Sequence, residues 1–433
     1  MTFSRRGELW VITRLWYPLA LTWLMMSVEG PFVVAVISRL SDPTPNLAAF
    51  SVAFAIAMLV ESPIMMLLSA GAALGSSRPQ YESLFRFASF LNIPLSLLMA
   101  FIGMPTVFAK LNQLFWNLPQ PVAHLVQGAV WLLIPWPAAI GYRRLWQGIL
   151  IARGQSRLVT AGTVVRFLSM GACALGLKAF LAWPGAWVGA ASLSAGVVGE
   201  MLAARLWAHH HLQRLPQRPT RPLLGLVGLW HFYTPLLLTS VIHVALNPLL
   251  TFLMAKGHEA LPSLAVFPAV TSTVFLFSCL GVAYQEVVLV LMGTRLRRWL
   301  LTYGMGIAVG ATAGLALIAW PAFSSWWLPQ LYGLPAEITP LTQNGLLLSL
   351  ITPFLVSLLA YHKGLFIHTG RTRLNLIAAI LEVSLTIGLA AALLFGLRLR
   401  ALEGVLLGLV GSRLITLTWA FLISPPAHPR KIP

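Results

Sequence analysis

The first half of this chain recurs in its second half about 217 residues later, and both copies are apolar enough to lie in a membrane. Pro18, Leu21, Thr22 and Pro31 return as Pro235, Leu238, Thr239 and Pro248. Leu47, Ala48 and Phe50 return as Leu264, Ala265 and Phe267. Further on, with a shift of about 216, Gly148, Ile151, Gly154, Arg157 and Leu158 return as Gly364, Ile367, Gly370, Arg373 and Leu374. Chance does not keep a register over such a length. Two copies of one membrane bundle in a single chain point to a pathway lying between them.

With 58% hydrophobic and 9% charged residues, the chain is not a water-soluble domain, where charged residues reach about 25%. Apolar runs follow one another from Val11 to Ile423, each long enough for a hydrocarbon core of about 30 Å. Backbone in lipid must satisfy its own hydrogen bonds, so the runs are helices. The spacing predicts twelve, over 11–38, 46–74, 82–107, 124–152, 156–181, 185–208, 226–255, 260–290, 297–320, 338–368, 372–397 and 401–424. The expected fold is all-α and polytopic, in two pseudo-symmetric six-helix bundles. These are 1–208 and 226–433, joined by a cytoplasmic linker over 209–225 that is rich in His, Arg, Gln and Pro. Six helices per copy give a parallel repeat, with the pseudo-two-fold axis along the membrane normal.

A net charge of +18 raises nucleic acid as a partner, but the basic residues sit in short loops rather than on one face or tail. The external loops hold only Arg39, Lys110, Lys178, Lys256, Arg398 and Arg400. Arg166 and Arg413 fall inside helices. The rest are cytoplasmic on this reading, including Arg143, Arg144, Arg153 and Arg157 in one loop. That bias places both termini in the cytoplasm of a bacterial inner membrane. The expected partners are the lipid bilayer and a small-molecule substrate, with no nucleic acid, and the expected state is a monomer. Cys173 and Cys279 suit packing better than a disulfide or metal. His209, His210 and His211 read as solvated linker. Trp320, Trp326, Trp327 and Tyr332 suit an interfacial aromatic belt.

Charges at membrane depth carry the functional signal, because each is costly there unless it faces protein or a wet cavity. Glu29 precedes Gly30-Pro31, and Pro31 repeats as Pro248, so both helices are expected to kink. Glu61 precedes Ser62-Pro63. Glu29 and Glu61 are the candidates for proton or sodium coupling, either as a facing pair or separately. Arg166 and Glu382 occupy equivalent positions with opposite charges. They suit a gate or an anion seat across the cleft, or pairing within each bundle. His243 and Asn247 share a helix face and are candidate substrate contacts. Glu200, Glu286 and Arg413 also fall in apolar stretches, the last without an evident partner. No nucleotide loop, metal-ligand motif or catalytic constellation is present, so neither an enzyme nor a resident cofactor or metal is expected.

Six plus six helices, with Leu47-Ala48-Ala49-x-Ser51 opening the second, resemble the MATE and polysaccharide-flippase (MOP) superfamily. Within it, the chain resembles the progressive ankylosis (ANK) protein family in Pro18-Leu19, Glu29, Leu47-Ala48-x-x-Ser51-x-Ala53, Pro63 and Gly148-Ile149-Leu150. That resemblance implies an alternating-access exporter of anions such as citrate, pyrophosphate or nucleotides. The alternatives are a MATE-type proton- or sodium-coupled multidrug/cation antiporter and a lipid-linked saccharide flippase.

Overall fold

The computed structural model describes residues 5–153, 155–218, 225–369 and 371–424. No strand forms among them; the architecture is all-α, as the apolar runs require. In the first half, α1 (Arg5–Ser27) and α2 (Glu29–Ser38) form the first crossing, and α3 (Pro43–Glu61) and α4 (Leu67–Leu74) the second. Then come α5 (Arg78–Gly103) and a short α6 (Pro105–Leu111). α7 (Gln120–Leu132) with α8 (Pro135–Ala152), α9 (Ser156–Phe180) and α10 (Gly185–Gln213) complete the set. The second half runs α11 (Leu226–Val244), α12 (Leu246–Ala255), α13 (Ala260–Leu291), α14 (Arg297–Ala319) and a short α15 (Pro321–Trp327). It ends with α16 (Thr339–Leu348), α17 (Thr352–His368), α18 (Thr372–Ala391) and α19 (Ala401–Ile423). Among the described residues, eleven helical stretches are long and apolar enough to cross a membrane, and Ser240–Ala255 is a shorter apolar helix.

The repeat holds at the level of single breaks. The first crossing breaks at Val28 and its equivalent at Ala245. In each case proline, Pro31 or Pro248, is the third residue of the new helix, where its missing N–H costs no helical bond. A π-turn at Asn112–Trp116 recurs at Leu328–Tyr332, closed by left-handed Asn117 (φ 52°) and Gly333 (φ 72°). Asp42 (φ 48°) and Glu259 (φ 53°) share the same left-handed backbone before α3 and α13. Asn46 accepts from the Ala186 N–H at 2.8 Å, and Ser263, its equivalent, accepts from the Leu402 N–H at 3.1 Å. One difference stands out. Ser62–Ile64 form a 3-10 turn that separates α3 from α4, because Pro63 removes a donor; the equivalent α13 runs through unbroken.

Two compact units emerge: Met1–Ala35 with Lys256–Pro433, and Val36–Ala255. Within the first, α1 from the first half packs on α13 and is joined to α14 by side-chain hydrogen bonds. Ile12 lies against Tyr284, Val288 and Leu300, and Trp16 Nε1 donates to the Leu280 carbonyl at 3.1 Å. Glu8 accepts from Arg298 Nη2 at 2.7 Å and Trp299 Nε1 at 2.5 Å. Within the second, Tyr233 of α11 donates to the Pro63 carbonyl at 2.6 Å and stacks edge-on against Phe87. Tyr233 is the repeat counterpart of Trp16, and Pro63 of Leu280. One hydrogen bond is therefore made twice, each time between opposite halves of the sequence. The segment after α10 joins α10 to α11, both in the Val36–Ala255 unit.

Two sequence-based placements change. His209, His210 and His211 lie on the last turns of α10 rather than in a linker. Trp320 and Trp326 are exposed, consistent with an interfacial belt, but Trp327 and Tyr332 are buried. Trp327 bonds the Ile318 carbonyl at 2.6 Å and Tyr332 bonds Thr273 at 2.7 Å, so both serve packing. Glu286 is exposed on α13, near its end.

Without a hydrophobic drive between helices in lipid, close backbone approach carries much of the packing. Gly148 of α8 faces the Leu68 carbonyl of α4, and Gly364 of α17 faces the Gln285 carbonyl of α13, which is the equivalent contact. Neither carbonyl can move aside as a side chain would. Gly148→Ala is therefore expected to destabilise the protein by about 1–3 kcal/mol through overpacking. An unchanged thermal unfolding midpoint in detergent would contradict this packing account.

Candidate functional site

The Val36–Ala255 unit buries an unusual concentration of charge. Arg143 and Gln147 are four residues apart on α8 and so share a face. Across from them, α10 supplies Glu200 and α9 supplies Arg166. Arg143 Nη1 donates to Glu200 Oε2, and Gln147 Nε2 donates to Glu200 Oε1 at 2.8 Å. Arg166 Nη1 stands 3.6 Å from Glu200 Oε2. Side-chain exposure is 6% for Arg143, 8% for Arg166 and 2% for Glu200. Gly162, one turn before Arg166, leaves room for the Glu200 side chain: a Cβ there would come within 3.3 Å of its Cγ.

Glu61 closes α3 beside the Pro63 break and accepts from Trp136 Nε1 of α8. The Arg166 guanidinium lies over the Trp136 ring, 5.7 Å from its centre, in cation–π contact. Arg144 interacts electrostatically with Glu61, Glu200, Arg143 and Arg166. The guanidiniums of Arg143, Arg144 and Arg166 thus gather around two carboxylates, Glu61 and Glu200, within helices long and apolar enough to cross a membrane.

This corrects the topology reading of Arg143 and Arg144. Neither is in a cytoplasmic loop; both are within α8, and Arg143 is 5% exposed. The polar neighbour at helical spacing, Gln147, was the available signal. Arg166 finds Glu200 inside its own unit. Glu382 finds Lys363 at 3.5 Å and Arg413 at 3.1 Å inside the other unit. That supplies the partner of Arg413 that sequence alone did not name, and adds Lys363. Glu29 is the first residue of α2, at the break in the first crossing, in the other unit from Glu61. Asn247 is exposed on α12. The His243 side chain lies outside the described residues.

The whole chain aligns in space with solved MATE transporters. An inward-facing multidrug resistance MATE family transporter of the MOP superfamily superposes with a TM-score of 0.70 at 15% identity, covering 93% of this chain and 94% of that one. The chain has the MATE transporter fold. An outward-facing MATE family transporter gives 0.58 at 16% identity over 95% and 94% of the two chains. The eukaryotic MATE transporter AtDTX14 gives 0.64 at 14% identity over 96% of each. No protein-family model matches the sequence, and no curated protein matches it.

The network identifies Glu200 as the group whose loss is hardest to tolerate. Removing one partner of a buried ion pair costs about 3–5 kcal/mol, because the other charge remains unmatched. Glu200→Gln is expected to lower stability on that scale in a chemical or thermal unfolding assay, and Arg143→Met added to Glu200→Leu to recover part of it. A double-variant loss equal to the sum of the Arg143→Met and Glu200→Leu losses would show that the two groups are not coupled.

Proposed function

We propose that this protein is an alternating-access secondary transporter that exports a small organic anion of the citrate, pyrophosphate or nucleotide class. The observation that carries this reading is the cluster of three guanidiniums, Arg143, Arg144 and Arg166, drawn together around Glu61 and Glu200 within the Val36–Ala255 unit. A buried guanidinium cluster is costly on its own, and an anion entering it relieves that cost. Arg166, 3.6 Å from Glu200 and over the Trp136 ring, is the guanidinium assigned here to a substrate oxyanion, which its planar fork matches in two-point contact. The resemblance to the progressive ankylosis family supports the same substrate class. The fold supports the transport mode, since the structures it matches include one MATE transporter facing inward and another facing outward.

On this reading the protein is a monomer of the plasma (inner) membrane with both termini in the cytoplasm. Glu29 and Glu61 bind the coupling proton or sodium ion, with Arg166 and Glu382 forming the gating charges. Pro31 and Pro248 mark the bends, and His243 and Asn247 contribute polar contacts for substrate.

The rival is a MATE-type cation antiporter, favoured by the multidrug resistance transporters among the matching structures. Purified protein in liposomes loaded with labelled citrate, pyrophosphate or ATP separates the two. The anion reading expects saturable flux of one of them, reduced about tenfold or more by Arg166→Gln and partly kept by Arg166→Lys. Ethidium flux that depends on Glu61 and ignores Arg166, with no anion flux, would establish the antiporter instead.

A further inference from the structure

The unit containing Lys256–Pro433 has its own charged core, at the position equivalent to the Arg143–Arg166–Glu200 network. Shifted by about 216 residues, Gln147 becomes Lys363, Arg166 becomes Glu382 and Glu200 becomes Thr416. The same three helices, now α17, α18 and α19, again bring basic residues to a carboxylate: Lys363 at the Gln147 position, and Arg413 one turn before Thr416, stand around Glu382. We infer that Lys363 and Arg413 form a second oxyanion seat, in which Glu382 is the resident counterion and a carboxylate or phosphate of the ligand joins or displaces it.

Four features argue for a seat rather than a closed structural bridge. Arg413 uses only Nε on Glu382, at 3.1 Å, and its two Nη groups donate no hydrogen bond to any described residue. Those groups form the fork that matches a carboxylate or phosphate in two-point contact. Lys363 stands at 3.5 Å from Glu382, an ion pair with room to rearrange. Exposure differs as well. The side chains of Lys363, Glu382 and Arg413 are 19%, 13% and 18% exposed, against 2–8% for Arg143, Arg166 and Glu200, so this core is the more open of the two. Finally, Thr416 lies one helical turn beyond Arg413 on α19. It is fully buried, and its hydroxyl has no hydrogen-bond partner. Such a group is ordinarily satisfied, so an orphan beside a cationic fork fits a ligand oxygen.

The class of ligand rests on the anion reading proposed above, while the seat itself rests on Lys363 and Arg413. The test is calorimetric titration of the full chain in phosphatidylcholine nanodiscs with inorganic pyrophosphate and with citrate. Wild type is expected to bind a second equivalent that Arg413→Gln abolishes and Lys363→Gln weakens about tenfold. Arg166→Gln is expected to remove the other equivalent and leave this one. Lys363→Gln and Arg413→Gln each leave one cation on Glu382, so either can stand in for the other if one variant fails to fold. Repeating the work in phosphatidylglycerol nanodiscs, with native mass spectrometry, separates the sources. A retained phosphatidylglycerol lost in Arg413→Gln, with no soluble anion bound there, assigns the seat to a lipid headgroup phosphate. A single equivalent lost only in Arg166→Gln overturns the second seat and leaves the transport reading intact. A single equivalent lost only in Arg413→Gln keeps the seat and overturns the reading of the Arg166 network. Neither anion nor lipid binding altered by Arg413→Gln overturns the inference.

Discussion

The Glu200 carboxylate is the constraint around which the Val36–Ala255 unit is arranged. It takes Arg143 and Gln147 from α8 and stands near Arg166 from α9, so one acidic side chain on α10 ties three helices together. In lipid this matters more than in water, because apolar faces gain little by leaving hydrocarbon for one another. The apolar residues of these helices make them span, and the polar core makes the packing specific. The same core gathers three guanidiniums, so on the proposed function the feature that organises the unit is also the one that attracts the anion.

Much of this was legible from sequence, and to an unexpected depth. The recurrence of Gly148 as Gly364 reflects the same backbone approach in both halves. The recurrence of Pro31 as Pro248 matches helix breaks at Val28 and Ala245. What sequence did not convey was which helices pack in one unit. An offset records that two segments are alike, and says nothing about which copy each one contacts. Trp16 on Leu280 and Tyr233 on Pro63 are equivalent bonds made between opposite halves, and no count along the chain contains that information. Arg143 and Arg144 were misplaced for a related reason. Arginines in the last turns of an apolar run have the same appearance whether they reach the cytoplasm or turn inward, and the loop-charge rule takes the first option by default.

The departures from symmetry fall where function would put them. Ser62-Pro63 interrupts the second crossing in one half, whereas Cys279 and Leu280 let α13 continue in the other. That interruption sits directly after Glu61 and exposes the Pro63 carbonyl used by Tyr233. A proline kink, a buried carboxylate and an inter-helix hydrogen bond therefore occupy one turn. On the proposed function, this is the turn at which movement of α11 would reach Glu61 and couple a conformational step to occupancy of its carboxylate.

The opposite charges of Arg166 and Glu382 take on a further meaning against this background. Equivalent positions on α9 and α18 carry opposite signs, yet neither unit has reversed its overall sign. Arg166 is matched by an acid from the next helix, Glu200. Glu382 is matched by bases from the helices on either side, Lys363 and Arg413. In both units the charged residue of the middle helix has oppositely charged neighbours on adjacent helices. Random drift of buried charges would remove them, since each is expensive in a membrane. Ion clusters on corresponding helices of both repeats, built from different residues, are better explained by a demand on the charge itself than by a demand on any one side chain. On the proposed function, an anionic cargo makes that demand.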